Sequence, residues 1–311
     1  MGVKLYKEPE LENVVMFCGW PGIGNVGLVA IDTLRVALKA EEFGEIEPFE
    51  FFAPQNVVIR DGLLEQMVFP SSKFFYKRLK GKDLIFFIGQ QQPAEGMVGY
   101  AQGHKAYKMA ELVLDVAEQF HSRGMYTSGA AVSMIHHSAK PRVWAVPNKA
   151  HIISELKAYD NTVLMSEIEG RDGHGAITGL NGLLLGVAKK RAIEAACLMG
   201  EVPYYLQGAP WPYPKASRSV VEVLAKMLDI EVDMSQLDIL AGRVDDSIEQ
   251  FLQSLSSTEG LPAQARAEIE KLLHAKQADL GPITDAEKKE ILDHIDELFK
   301  GEDRDEKRRH I

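Results

Sequence analysis

Apolar residues fall into short unbroken runs separated by helical stretches over the first two-thirds of the chain, and into helical stripes alone thereafter. Val14-Val-Met-Phe-Cys18 is a continuous apolar run of strand length, closed by Gly19-Trp-Pro-Gly22. From Val26 onward, Val29, Leu34, Val36 and Leu38 predict a largely buried helix, with Arg35 and Lys39 suited to its negative C-terminal end. Val57-Val-Ile59 and the run from Leu63 to Phe69 flank Arg60-Asp-Gly62. Asp-Gly between apolar segments predicts a hairpin, because both residues tolerate the positive φ that a tight turn demands. Leu84-Ile-Phe-Phe-Ile88 is apolar on both faces and predicts a central strand.

A Gly- and Gln-rich loop follows from Gly89 to Gly103, then a long helix to about Phe120. Ser128-Gly-Ala-Ala-Val132, Val143-Trp-Ala-Val146 and Val163-Leu-Met165 predict further strands; Leu183 to Lys190 predicts a helix, and Ala192 to Met199 another strand. Strands alternating with helices imply crossovers packed on both faces of a mostly parallel sheet, hence a three-layer α/β domain. The Asp-Gly hairpin is the antiparallel exception, so the sheet is expected to be mixed.

The character changes near Glu201. Tyr204, Tyr205, Pro210, Trp211, Pro212, Tyr213 and Pro214 form a rigid aromatic-proline bend, and only helical patterns follow it. Leu240, Val244, Ile248, Phe251, Leu252 and Leu255 lie at helical spacing. A shorter helix opening at Leu261-Pro262 carries Ile269, Leu272 and Leu273. Thr284-Asp-Ala-Glu287 is a capping box that opens a third helix, with Ile291, Leu292, Ile295, Leu298 and Phe299 on one stripe and Gly301 at its close. The division expected is an α/β domain over residues 1–230 and a helical C-terminal region over 231–311, ending in a charged frayed tail. Narrow apolar stripes on strongly charged helices suit an appendage that docks on the main domain or on a neighbouring subunit. Trp211 and its tyrosines are placed to anchor that appendage by packing.

Composition narrows the function classes. The 311 residues carry 35 Lys+Arg against 45 Asp+Glu, a net charge of -10, which lacks the basic stripe a nucleic-acid binder needs. No run reaches ~18 apolar residues without a charge, so no membrane span is expected, and the N-terminus shows no secretory signal. Cys18 and Cys197 both sit in apolar runs, as small buried hydrophobes of a reducing cytoplasm do.

Two glycine clusters carry the candidate chemistry. Gly22-Ile-Gly24-Asn25-Val-Gly27 matches the dinucleotide fingerprint, follows a strand and opens a helix, and Glu47 lies where a ribose-binding acid would stand. Glycines there would let a phosphate approach the backbone at a helix N-terminus. Gly19-Trp20-Pro21 intervenes, however, and Pro21 removes a backbone donor from that region. The same glycines equally serve a tight strand-to-helix turn. The second cluster, Gly170-Arg-Asp-Gly-His174-Gly175-Ala-Ile-Thr-Gly179-Leu-Asn181-Gly182-Leu-Leu-Leu185, also sits between strand and helix. Asn181 can cap that helix, and Asp172 with His174 is an acid–base candidate whose geometry a glycine loop does not fix. The candidate binding set is therefore Pro21, Gly22, Gly24, Asn25, Gly27, Gly175, Gly179, Asn181 and Gly182.

Trp20-Pro-Gly-Ile-Gly-Asn-Val-Gly27 together with Gly175-Ala-Ile-Thr-Gly-Leu-Asn-Gly-Leu-Leu-Leu185 resembles the PAC2 family, named for a proteasome assembly chaperone, over roughly Val14 to Leu228. The resemblance implies a phosphorylase/hydrolase-like α/β/α sandwich, a tendency to homo-oligomers, no established catalytic residues and no cofactor. It also implies that the first glycine motif shapes the fold and the subunit surface. Relatives that engage the proteasome are expected to end in hydrophobic-Tyr-X. Arg309-His310-Ile311 departs from that pattern, so proteasome subunits are not expected to be bound through this tail.

Other residues offer little chemistry. Adjacent His136 and His137 would point opposite ways on a strand and make a poor metal pair. No Cys-x-x-Cys, Gly-x-Ser-x-Gly or phosphate-loop lysine motif occurs. Ser133 with either histidine has no orienting acid nearby in sequence. Gln90-Gln-Gln92 and Glu95 follow a strand and can line a cleft at the sheet's carboxyl edge. The expected role is a non-enzymatic oligomeric scaffold or assembly-chaperone-like protein that binds itself and other proteins. The alternative is an enzyme or sensor holding a nucleotide or another anionic small molecule between residues 22–27 and 173–182.

Overall fold

A computed structural model of the chain describes residues 2–94, 103–167, 175–257 and 263–274. In chain order the strands and helices are β1 (Val3–Leu5), β2 (Val15–Gly19), α1 (Val26–Ala37), β3 (Glu41–Ile46), β4 (Asn56–Arg60), β5 (Leu63–Val68), β6 (Ser72–Leu79), β7 (Lys82–Gly89) and α2 (Gly103–Gln119). They continue with β8 (Gly124–Ser133), β9 (Val143–Pro147), α3 (His151–Leu156), β10 (Thr162–Leu164), α4 (Gly179–Lys190), β11 (Ala195–Pro203), α5 (Pro214–Leu228), α6 (Ser235–Ser256) and α7 (Ala263–His274).

Nine strands form one mixed sheet in the order β1-β3-β6-β7-β2-β8-β11-β9-β10. Its centre, β7-β2-β8-β11, is parallel, as strands joined by crossover helices must be. Alternation along β2 explains the layering. Phe17 joins Leu84, Phe86, Leu198 and Val220 in a core beneath α1 and α5, whereas Met16 and Cys18 face the other way, toward Phe74, Phe87, Met109 and Leu184 under α2 and α4. Side chains this deeply buried contribute about 1.5–3 kcal/mol each, which is why the central strands read as unbroken apolar runs. The expected three-layer α/β/α sandwich is present.

The hairpin forms as its turn predicts, with Asp61 at φ 52° and Gly62 at φ 78°. It does not, however, supply the sheet's antiparallel part. Among the described residues β4 and β5 pair only with each other, as a separate two-stranded sheet. The antiparallel pairs of the main sheet come from β1, β3 and β6 on one flank and from β9 against β11 on the other. β3 reads Glu-Glu-Phe-Gly-Glu-Ile, and β6 sets Phe74-Phe75-Tyr76 between Lys73 and Lys77-Arg78, so neither shows the longer uncharged run that marks the centre.

Leu237, Val244, Ile248 and Leu252 of α6 lie in the same core cluster as Val220 and Leu224 of α5, so this helix docks on its own chain. Trp211 meets Phe251 of α6 edge-on at 5.7 Å, the anchoring contact expected of the aromatic bend. The capping box at Thr284 and the helix expected after it lie outside the described residues, as do Glu95, Asp172, Gly173 and His174. Cys18 and Cys197 are free, buried thiols, and burial pushes both pKa values up. Among the described residues no helix is long and apolar enough to cross a membrane.

Candidate functional site

The four parallel central strands end on one edge of the sheet, and the loops that follow them meet there. The turn after β2 reverses tightly: Gly24 and Asn25 both take left-handed conformations, at φ 56° and 49°. Asn25 donates its backbone N–H to the Gly22 carbonyl at 2.9 Å, and its side chain makes no cap bond to α1. The first turn of α1 then presses on β8. A Cβ on Gly27 would lie 2.0 Å from the Ser128 carbonyl oxygen, so no other residue fits.

The second cluster begins α4 at Gly179, four residues before the expected start at Leu183. Thr178, not Asn181, occupies the N-cap position. Asn181 lies within the first turn and directs its amide at β8, where a Cβ on Gly129 would sit 2.5 Å from its Nδ2. Gly182 packs on the Ile177 carbonyl, 2.0 Å from where its Cβ would be, and Gly175 packs on Met165. The Oδ1 of Asn181 and the Oγ of Ser128 are buried with no hydrogen-bond partner.

One side chain joins the two clusters. Gln92, in the loop after β7, donates its Nε2 to the Pro21 carbonyl at 2.7 Å and accepts the Leu180 N–H on its Oε1 at 3.1 Å. One of the N-terminal amides of α4 that an anion would seek, that of Leu180, is thus held by a neutral side chain of the same protein. Gly22 borders the same amide, with a Cβ position 4.0 Å from Gln92 Nε2. Sequence spacing pointed to Gln90–Gln92 only as a cleft lining; the bridge requires the sheet order, which sets β7 beside β2.

Glu47 does not complete a dinucleotide site. Two strands, β7 and β6, separate β2 from β3, so the acid at the end of β3 stands about 14 Å from the glycine turn at ~4.8 Å per strand. Its Oε2 accepts the Gly2 N–H at 3.0 Å instead.

A model of the PAC2 family matches residues 16–252, which span both glycine clusters and the bend that covers them. The chain belongs to the PAC2 family. An uncharacterized protein of Methanocaldococcus jannaschii is 30% identical over 269 residues, 86% of this chain and 89% of that one. Among solved structures, PbaB of Pyrococcus furiosus, described as an archaeal proteasome activator, superposes with a TM-score of 0.67 at 27% identity, covering 80% of this chain and 97% of that one. PbaA of the same organism, described as an archaeal homolog of proteasome-assembly chaperone, gives 0.60 at 21% identity over 87% and 97%. A PAC2 family protein from Streptomyces avermitilis gives 0.61 at 17% over 82% and 99%. These last two show the shared fold.

In this PAC2 chain the aromatic bend closes the first glycine turn from outside. Tyr213 donates its N–H to the Gly24 carbonyl at 2.8 Å, and Ser217 of α5 donates its hydroxyl to the Val26 carbonyl at 3.2 Å. Behind Tyr213 lies a polar cluster that sequence spacing did not assemble. His136 and His137 follow β8 outside any strand, with their rings 4.1 Å apart and tilted by 40°, so they do not point opposite ways. His136 donates Nε2–H to the Leu272 carbonyl of α7 at 2.8 Å. Tyr205 accepts the His137 N–H and donates to its Nδ1, both at 2.8 Å. Burial, then the neighbouring His136 and Lys215, lower the His137 pKa to about 4 and keep it neutral. Lys215 donates to the His137 carbonyl at 2.7 Å and pairs with Asp245 of α6 at 2.6 Å. Ser133 accepts Ile135 N–H within its own turn, at 3.3 Å.

Glu201 is fully buried on β11 and is the second group the sequence did not single out. Arg142 reaches it with Nε at 3.0 Å and Nη2 at 2.7 Å, and Trp144 donates Nε1–H at 2.8 Å. Burial alone would raise its pKa, but these donors outweigh burial and lower it. Among the described residues no group of three or more His, Cys, Asp and Glu is placed to hold a metal. A groove of about 240 Å³ is lined by Lys140, Asp160, Glu222 and Lys226 among others, and no glycine-loop residue borders it.

Proposed function

We propose that this chain is a non-enzymatic, self-associating scaffold of the assembly-chaperone type, acting in the cytoplasm by presenting surfaces to other copies and to partner proteins. The observation that carries this reading is the Gln92 bridge, which spends the start of α4 and the turn before α1 on each other. With Gly27 against Ser128, the candidate binding set Pro21, Gly22, Gly24, Asn25, Gly27, Gly175, Gly179, Asn181 and Gly182 serves as a joint between layers. The likeness to an archaeal proteasome activator at 27% identity supports a role exercised on other proteins. Native mass spectrometry of the full chain purified from its own cells tests it. A homo-oligomer, alone or with a stoichiometric protein partner, is the expected result. A monomer that retains a small molecule and no protein would contradict it.

A second reading, a nucleotide or other anion held between the glycine clusters, draws on the unpartnered Oδ1 of Asn181 and Oγ of Ser128. Gln92 already bridges the Pro21 carbonyl and the Leu180 N–H between those clusters, and the scaffold reading is favoured.

A further inference from the structure

Among the described residues the β4–β5 hairpin carries the densest group of exposed large apolar side chains. A two-stranded ribbon is at best marginal in water unless one face is covered. Its register sorts its side chains by face. Val57 pairs with Met67 and Ile59 with Leu64, on one face, while Val58 opposite Gln66 and Asn56 opposite Val68 lie on the other. Val58 and Val68 are half-buried. The first face is not: Val57, Met67, Ile59 and Leu64 are 45%, 55%, 69% and 71% exposed. Leu63 at the tip is 74% exposed, and at the root Phe49, edge-on to Phe69 at 5.1 Å, is 61% exposed.

We infer that this face is the surface through which two copies of the chain pack, hairpin against hairpin about a two-fold axis; the inference rests on the self-associating reading above. Three considerations select a second copy as the occupant. The first is area. At ~150–200 Å² for a large apolar residue, the four side chains of this face leave on the order of 400 Å² of apolar surface uncovered. That is the size of the largest, often functional, patch a monomer exposes, and it approaches the apolar share, about 65% in homodimers, of the ~800 Å² per partner of a stable interface. The second is charge. The chain carries -10, so two copies repel over most of their surface, but the four side chains of this face are uncharged. The nearby charges are Asp61 at the tip and Arg60, which pairs with Glu65 at 3.3 Å on the same hairpin. The third is symmetry. An apolar face without charge offers a foreign protein little to recognise, whereas an identical face presents matching aliphatic pairs across an isologous contact.

Sedimentation velocity of the full chain, wild type and Ile59→Asp/Leu64→Asp, tests this. Both positions are solvent-facing, so the folded core is untouched. The expected result is an assembled wild type and a variant of half the mass or less. Single Ile59→Cys and Leu64→Cys variants supply a second readout, since both native cysteines are buried. A short bis-maleimide should link them into covalent dimers. An assembled wild type whose size survives the double substitution, with no crosslinked dimer, overturns the hairpin assignment and leaves self-association standing. A monomeric wild type overturns both.

Discussion

Gly27 lies so close to Ser128 that a Cβ would stand 2.0 Å from the Ser128 carbonyl oxygen. The neighbour is strand backbone and cannot give way, so Gly27→Ala must push α1 off β8. We expect a loss of about 3 kcal/mol, read from denaturant unfolding. Gly186→Ala is the contrasting case. Nothing lies within 4 Å of its Cβ position in α4, and it should gain roughly 0.5–1 kcal/mol through helix propensity. Equal effects at the two positions would contradict the packing role.

Gln92→Ala removes both hydrogen bonds that tie Pro21 to Leu180. The expected cost is about 1–2 kcal/mol, with faster amide exchange at Leu180 and unchanged exchange in β11. Protection at Leu180 that survives the substitution would show that another group caps α4.

Arg142→Ala leaves the Glu201 carboxylate buried with only the Trp144 indole and a backbone N–H. A cost of about 3 kcal/mol at neutral pH is expected. Without the guanidinium, burial raises the folded-state pKa above its unfolded value. The penalty should therefore shrink as pH falls and Glu201 takes up a proton. A penalty independent of pH would mean that Arg142 acts by packing alone.

His137 titrates in the opposite sense to a paired histidine. Its folded pKa of about 4 lies below the unfolded value near 6.5, so the unfolded chain binds the proton first. The stability that neutral His137 confers is complete above pH 6.5 and is lost as pH falls toward 4, by at most about 3 kcal/mol. His137→Asn, whose Oδ1 can still accept from Tyr205, should flatten that slope between pH 4 and 6.5. An unchanged slope would place the titration elsewhere.

The central strands and the hairpin turn were legible because one physical signal dominated each. Strands such as Val15–Gly19 and Ala195–Pro203 are buried on both faces, and Asp61-Gly62 specifies its own turn. Flank strands were not legible: Glu41–Ile46 is broken by charge and glycine and Ser72–Leu79 sets its aromatics between basic residues, so both are defined by antiparallel pairing with each other and with β1 and β7. The PAC2 motifs were legible as motifs, but their meeting at Gln92 depends on a residue 71 positions from Pro21 and 88 from Leu180. The same holds for Glu201, a lone acid in an apolar strand whose partners Arg142 and Trp144 arrive from β9 and the residue before it. Long-range partners of this kind leave no local period in a sequence.

The most direct measurement is thermal unfolding of the full chain against a panel of nucleotides, phosphosugars and inorganic phosphate. If the glycine clusters are a joint between layers, none of these shifts the transition. A saturable shift, worth about 2.7 kcal/mol at a hundred times the dissociation constant and altered by Gln92→Ala, would make the clusters a ligand site and contradict the scaffold reading.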